Sequence, residues 1–357
     1  MAGGNLTGNA NAVLRTMIEI DGTFGEGGGQ ILRTALGLSA LTGKPFHISN
    51  IRKRRSKPGL RRQHLTAVVA AQEIAQADVR GAELNSTDLV FIPARIGGGD
   101  FHFDIGTAGS AMLVLQTVLP PLFGAERHST VTVCGGTHNP MSPPFDFFAE
   151  TFLPAVGRLG FRATARLVRH GFFPAGGGEV AVEIEPVSTA VPTDFVRPRD
   201  AAVLSARVIL ARLPDRVWEA ERRALEALDL DLATIERRDV ADSHGPGNCV
   251  MIVVDREEGE DRTRSVLTAF GERGRPSASV VEEAAGYARE LLASGAATDR
   301  FLTDQLLLYL AMAGGGSLTA PALTLHATTN IAVIEQFLPV RFTTEQTEGL
   351  QQVRCLL

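Results

Sequence analysis

Cysteine, lysine and tryptophan are all scarce in this chain. Its 357 residues include three cysteines, Cys134, Cys249 and Cys355, which lie far apart and in no metal-binding spacing. That excludes a disulfide framework, argues against a zinc site and predicts thiols in a reducing compartment. The single tryptophan, Trp218, falls on a charged amphipathic stretch and reads as core or interface rather than as a platform for a nucleobase. No apolar run approaches the roughly 20 residues that a membrane span needs. The Gly/Asn/Ala-rich start, Met1–Thr16, has no apolar signal-peptide core. These absences predict a flexible tail over 1–16 on a cytoplasmic protein with no membrane partner.

The few lysines are not scattered. Of 35 Lys and Arg residues only three are lysines, and Lys44, Lys53 and Lys57 all fall in or beside the segment Ile51–His64, which reads IRKRRSKPGLRRQH. No Asp or Glu occurs between Glu26 and Glu73, so nothing nearby in sequence neutralises the run. The chain as a whole carries a net charge of −5, which argues against a general nucleic-acid coat; any polyanion must bind locally. The segment reads either as a solvated face or as a polyanion site. Pro58-Gly59 makes it a shaped loop, and Leu60, Leu65, Val68 and Val69 then take helical spacing into a core. Phosphate contacts from such groups supply affinity and salt dependence rather than sequence preference.

A strand, a glycine-rich turn and an apolar helix recur along the chain. The pattern appears at Met17–Asp21, Gly22–Gly29 and Gln30–Leu41, and again at Phe101–Ile105, Gly106–Ser110 and Ala111–Leu119. A weaker copy runs through Val131–Cys134, Gly135–Pro144 and Phe145–Leu159. Such repeats predict βα units and an α/β fold. Around Pro186 the character changes: Pro186, Pro192 and Pro198 punctuate a linker-like stretch. Val203–Leu213 then reads as a strand, Arg216–Leu228 as an amphipathic helix, Gly245–Asn248 as a turn and Val250–Asp255 as a buried strand. Helical spacing resumes from Ser279 and leads into Phe301–Ala313. The expected division is a main domain over 17–186 and 277–357 with a smaller inserted α/β domain over 187–276.

Several groups carry chemistry. Gly25–Gln30 offers backbone N–H groups that can approach phosphate closely, and the following helix adds its positive end. The turn lacks the Gly-Lys-Ser/Thr of a Walker loop and is no dinucleotide fingerprint. Glu26 reads either as a metal ligand between these amides and a phosphate or as a solvated turn carboxylate, and Arg33 either reaches the same site or packs its stem. Near the C terminus, Ala322–Leu325 alternates like a strand, Asn330 suits a helix N-cap, and Ile331, Ile334 and Phe337 or Leu338 space an apolar helix face that stops at Pro339. This places His326 at a strand end facing a helix N terminus, where a neutral imidazole can attack phosphorus. Asp304-Gln305 is expected to open the helix Leu306–Ala313, either as a cap and an exposed amide or as readers of a base or ribose. Gln116 interrupts an apolar helix and needs a partner. His170–Gly178 reads as a rigid turn, and His138 is the main competitor to His326.

These residues carry a family resemblance over about Ile18 to Thr343. The chain resembles the RNA 3′-terminal phosphate cyclases through Asp21-Gly22 with Gly25–Arg33, Lys57–Leu60 with Arg62–His64, Gly136-Thr137 with Asn139-Pro140, His170–Gly178, and His326 with Thr329–Val333. The resemblance implies a large domain of repeated βαβαββ units, similar to the C-terminal domain of the third bacterial translation initiation factor, with a small inserted α/β domain. It further implies an ATP-dependent conversion of an RNA 3′-phosphate end to a 2′,3′-cyclic phosphate, with AMP held covalently on a histidine and a divalent cation, Mg2+ or Mn2+, as cofactor. Carried over position by position, His326 matches the adenylylated nucleophile and Glu26 the metal-associated acid. Gln116 and Phe301, Leu302, Thr303, Asp304 and Gln305 match ATP-contacting positions, while Arg33, Arg52, Arg55 and Gln63 match groups around the phosphates and the RNA end. RNA and ATP are the implied partners, with no obligatory protein partner. Leu325 stands where some relatives have Cys. A non-catalytic RNA-binding relative acting in ribosome assembly would lack the nucleophile, and an enolpyruvyl transferase, which also uses such repeats, would leave His326 and the basic loop without a purpose.

Overall fold

The computed structural model describes residues 17–196, 202–258, 261–347 and 349–357. The expected tail over 1–16, and Pro198 in the linker-like stretch, lie outside those residues.

The chain begins with β1 (Ile18–Asp21), α1 (Gly29–Thr42), β2 (Phe46–Ser49), α2 (Arg62–Ala75), β3 (Asp78–Arg80) and β4 (Leu89–Ile92). It continues with β5 (Asp100–Asp104), α3 (Ala111–Phe123) and β6 (Ser129–Gly135). A helical run α4 follows, built from Phe145–Phe147, a π turn Phe148–Phe152 and Leu153–Arg158, and then β7 (Ala163–Arg169) and β8 (Gly178–Ile184). The short strand β9 (Thr193–Phe195) precedes β10 (Val203–Ala211), α5 (Asp215–Glu226), β11 (Leu232–Val240), β12 (Gly247–Glu258), β13 (Asp261–Phe270) and α6 (Ser277–Ser294). The last elements are α7 (Arg300–Met312), β14 (Gly316–Ala320), α8 (Leu325–Phe337), β15 (Arg341–Thr347) and β16 (Leu350–Leu356).

Three of the four sheets share one strand order: β1-β2-β4-β3, β5-β6-β8-β7 and β9-β14-β16-β15. In each, the first two strands pair in parallel and the remaining pairs are antiparallel. A parallel pair cannot be closed by a hairpin, so a helix must cross over. The helices of these three sheets put their apolar faces together: α1 packs on α2, α3 and α8, and α8 on α7. Their buried side chains, among them Leu32, Leu36, Val68, Val114, Val118, Leu306 and Ile334, form one core with the inner faces of the sheets.

The fourth sheet, ordered β11-β10-β12-β13, has its own core. Val208, Leu210, Val250, Ile252 and Leu267 pack there against Val280, Val281, Ala284, Ala288 and Leu291 of α6. So α6, past residue 276, covers this sheet, whereas Thr193–Phe195 pairs with β14 in the third. The other face of the sheet joins the main core through Ile209, Met251, Val253 and Val266, and ions tie it to α4: Arg207 bonds Asp146 and Glu150, each at 2.8 Å, and Arg264 bonds Glu150 at 2.8 Å. The turn His170–Gly178 braces the same junction, with Phe172 packed over Gly247 and Gly177 against His244.

Two local expectations are corrected. Ala322–Leu325 is not a strand: the strand ends at Ala320, before Pro321, and Thr324 rather than Asn330 caps α8, its hydroxyl accepting from the Ala327 amide at 3.0 Å. The alternation of Leu323 and Leu325 imitates a strand because both flank a cap. Likewise α7 starts at Arg300, not at Leu306. The Asp299 carboxylate caps it by accepting from the Phe301 and Leu302 amides, each at 2.9 Å, so Asp304-Gln305 lies one turn inside the helix.

Candidate active site

The N-terminal ends of α1 and α8 converge. Each helix leaves its first amides without an intrahelical acceptor and carries a partial positive charge there, and α1 has no side-chain cap at Gly28. Gln30, second in α1, and His326, second in α8, meet across the gap: Gln30 Oε1 lies 2.5 Å from His326 Nδ1. An amide oxygen only accepts, so Nδ1 carries the proton and donates, leaving the Nε2 lone pair free. Burial and the neighbouring charges of Arg33 and Arg55 hold the imidazole below the usual histidine value, so it is neutral at pH 7.

The glycine turn is tied to α8. The Glu26 amide donates to Thr329 Oγ1 at 3.0 Å, and that hydroxyl donates to the Leu325 carbonyl at 2.6 Å. Gly25 has φ +53° and sits against Thr329, where a Cβ would collide with the hydroxyl. The Glu26 carboxylate folds back over Gly28, which likewise has no room for a side chain. Its Oε1 pairs with Arg55, while Oε2 is buried with no hydrogen-bond partner.

A cleft beside His326 is lined by Gln30, Arg33, Gln116, Asp304, Gln305 and Asn330, with Tyr309 and Phe152 at its apolar side. Gln116 Nε2 donates to Gln305 Oε1 at 2.5 Å, the partner its sequence context demanded. Asn330, misread as a cap, holds the cleft together: it accepts from Thr34 Oγ1 at 2.7 Å and donates to the Asp304 carbonyl at 2.9 Å. Burial pushes the Asp304 carboxyl up to about 7 although Thr324 Oγ1 donates to it at 2.7 Å. Arg33 has no ion pair among the described residues, and burial pulls it down to about 10, still fully protonated at pH 7.

The remaining expected positions divide. Gln63 Oε1 accepts from the Ser110 amide at 3.0 Å, at the start of α3. Arg52 is turned into its own loop, with Nη1 donating to the carbonyls of Lys57 and Gly59 at 2.8 Å each, so it staples the loop shut. Phe301 is partly exposed with its ring edge on Tyr287, 5.0 Å between centroids. Leu302 and Thr303 turn into the core, where the Thr303 hydroxyl bonds the Asp299 carbonyl at 2.8 Å; helical spacing aims 304, 305 and 308 at the cleft instead. His138 is sealed inside, 0 % exposed, between Thr137 Oγ1 and Asp146 Oδ2 at 2.8 Å each, and so has no access to a substrate.

Sequence reading assigned no role to Gln30, Thr329 or His64. His64 Nδ1 accepts the Arg61 amide at 3.1 Å, so Nε2 carries the proton and faces Gly29 and Arg33. Burial, then the charges of Arg33, Arg52 and Arg61, push this imidazole down to about 3. The available signal was position: His64 follows the assigned Gln63, and Gln30 and Thr329 lie within the segments of family resemblance Gly25–Arg33 and Thr329–Val333.

The sequence profile of the family described as RNA 3′-terminal phosphate cyclase matches residues 24–344. Proteins named RNA 3′-terminal phosphate cyclase are similar over nearly the whole chain. The one from Koribacter versatilis is 48 % identical over 338 residues, covering 94 % of this chain and 94 % of its own. That from Ralstonia nicotianae is 48 % identical over 340 residues, 94 % of this chain and 96 % of its own. That from Salmonella enteritidis is 45 % identical over 338 residues, 95 % and 98 %. With a profile match over most of its length and relatives at this identity, the chain belongs to the RNA 3′-terminal phosphate cyclase family of enzymes.

Proposed function

We propose that this enzyme uses ATP to convert an RNA 3′-terminal phosphate into a 2′,3′-cyclic phosphate through a covalent His326–AMP. The observation that carries this is the neutral His326, its Nδ1 proton on Gln30 and its Nε2 lone pair free, where two helix N termini meet. In the first step Nε2 forms a bond to the α-phosphorus of ATP and pyrophosphate leaves. An oxygen of the RNA 3′-phosphate then attacks that phosphorus, giving RNA-(3′)pp(5′)A and restoring the imidazole. Finally the 2′-OH attacks the 3′-phosphorus, its proton passes to solvent and AMP leaves. Activation is needed because a phosphate monoester dianion is a poor electrophile without a leaving group.

The helix ends and the Arg33 guanidinium favour the charge that develops on phosphate oxygens. Gln116, Asp304 and Gln305 take the adenosine, with Phe301 at the outer end of the same helix; Leu302 and Thr303 act through the helix's packing. Arg55 and Gln63 orient the phosphates and RNA end, and Arg52 does so by holding its loop. The residues fit a divalent cation, Mg2+ or Mn2+, at Glu26, since a buried carboxylate oxygen with no donor is a ready ligand. Among the described residues no three His, Cys, Asp or Glu side chains gather to hold a metal, so its other ligands would come from ATP and water. Such a cation would supply charge neutralisation at the phosphates.

The common strand order of three sheets supports reading the main domain as three βαβαββ units akin to the C-terminal domain of the third bacterial initiation factor. The inserted domain would then interrupt the third unit after β9 and run to the end of α6. The three free thiols accord with action in the cytoplasm, and among the described residues no helix is long and apolar enough to cross a membrane.

The test is incubation with α-labelled ATP and Mg2+ or Mn2+. The expected result is an acid-labile, alkali-stable protein–AMP adduct, absent from His326→Ala and discharged by RNA ending in a 3′-phosphate but not a 3′-OH. An adduct that persists in His326→Ala overturns the assignment.

A further inference from the structure

The basic loop has two faces that the sequence did not separate. Arg52 and Arg55 turn inward, one to the carbonyls of its own loop and the other to Glu26. Lys53, Arg54 and Lys57 turn outward, exposed, and none has an ion-pair partner within 4.0 Å among the described residues. Two successive turns, Lys53 N–H to the Asn50 carbonyl at 3.1 Å and Arg55 N–H to the Arg52 carbonyl at 3.0 Å, set this division.

The outward face is joined to the mouth of the site. Asp21 Oδ1 accepts from the Thr23 amide at 3.0 Å and from Asn50 Nδ2 at 3.2 Å, and Asn50 Oδ1 accepts from Lys53 Nζ at 3.2 Å. The Thr23 amide, with Arg54 as a lesser contributor, holds the Asp21 carboxyl below the usual range. So Lys53 and Arg54 stand beside the turn that carries Phe24. Phe24 is 52 % exposed, immediately before Gly25 and Glu26, where burying an apolar aromatic would be favourable and the fold leaves about half of it uncovered.

We propose that Phe24 with Lys53, Arg54 and Lys57 forms a track for single-stranded RNA leading away from His326. The terminal nucleobase stacks on Phe24, and the phosphates on its 5′ side lie along the three cations. An exposed aromatic beside unpaired cations is how proteins hold a single strand without reading its sequence. The track rests on the cyclase reading of the site, and it gives the outward lysines the affinity role that the inward arginines do not fill.

The test measures binding of a fluorescent RNA decamer ending in a 3′-phosphate to the full chain over a range of salt, with a nucleoside 3′-phosphate as competitor. Protein–AMP formation without RNA is measured alongside. Phe24→Ala is expected to weaken decamer binding roughly 5- to 150-fold, as loss of one stacked base does, with Phe24→Trp restoring it. The triple variant Lys53→Ser/Arg54→Ser/Lys57→Ser is expected to flatten the salt dependence by about 0.7 in slope per lost phosphate contact. It should weaken the decamer far more than the mononucleotide. A triple variant with the wild-type slope, or Phe24→Ala binding as tightly as wild type, overturns the track. Wild-type protein that forms no AMP adduct but shows these RNA dependences overturns the cyclase mechanism instead and leaves the track standing.

Discussion

Replacing Gln30 by Glu keeps the shape of the contact to His326 and changes only its charge. In the wild type the amide oxygen, 2.5 Å from Nδ1, orients the imidazole without favouring its protonation, and burial, Arg33 and Arg55 keep it neutral. A carboxylate in its place still accepts from Nδ1 but attracts the imidazolium. Two unit charges about 4 Å apart attract by about 1 kcal/mol in water and about 4 kcal/mol at the effective dielectric of a protein surface. The His326 imidazole is only partly withdrawn from water, and Arg33 and Arg55 offset part of the new charge, so the lower end applies. That moves the acid limb of the pH profile up by roughly one pH unit. The sign follows from Nε2: only the neutral imidazole has the lone pair, so whatever raises its pKa costs rate at neutral pH and nothing at alkaline pH. Initial rates of protein–AMP formation from labelled ATP between pH 5 and 9 would show it. Gln30→Glu should be slower than wild type near pH 6 to 7 and should approach the wild-type plateau by pH 9. A uniform loss at every pH, or an acid limb that does not move, would refute the assigned tautomer and the neutral nucleophile.

Two further outcomes follow from other parts of the chain. Glu221, 1 % exposed beneath the inserted sheet, is pushed up to about 7 by burial against a contact from Asn248 that lowers it. The folded state therefore binds a proton that the unfolded chain has lost above about pH 4.5, and stability falls as pH rises from there through 7. Glu221→Gln should raise the melting temperature at pH 8, by the equivalent of about 1 to 3 kcal/mol, and leave it nearly unchanged at pH 4.5; calorimetry at the two pH values checks this. Thr324 both caps α8 and donates to Asp304, so Thr324→Ala should cost about 1 to 2 kcal/mol in denaturant unfolding, and Thr324→Ser should recover most of it. Equal losses in Ala and Ser would mean that the methyl group, not the hydroxyl, matters there.

Much of the site is legible in the sequence because its parts are local. A turn such as Gly25–Gln30 announces itself through glycine, and the helix that follows through apolar spacing; α1 begins within a residue of where that spacing puts it. Two of the four strands of the inserted sheet are readable for the same reason, Val203–Leu213 and Val250–Asp255 falling largely within β10 and β12, whereas β11 and β13 were not read. Local signals fail at the caps. Asn330 and Asp304 are good cap residues by type, but Thr324 and Asp299 take those places, because Pro321 stops the preceding strand and the apolar face of each helix must start earlier to reach the core. The division of Phe301–Gln305 between core and cleft is a matter of which side of α7 faces sheet and helix neighbours, which no single segment encodes.

By itself the sequence determined the α/β character, the glycine-rich turn, the basic loop and the candidate nucleophile, each written in residue types within a few positions of one another. Tertiary structure alone decided which nitrogen of His326 is free, since its partner Gln30 is 296 residues away. It also decided that His138 is sealed against substrate, that Arg52 staples its loop while Lys53 and Lys57 face water, and that Phe24 is left half exposed. The physical reason is that protonation, access and direction are set by what packs around a side chain: for His326 that neighbour comes from the far end of the chain, while for Arg52 and His138 the fold turns nearby groups onto them.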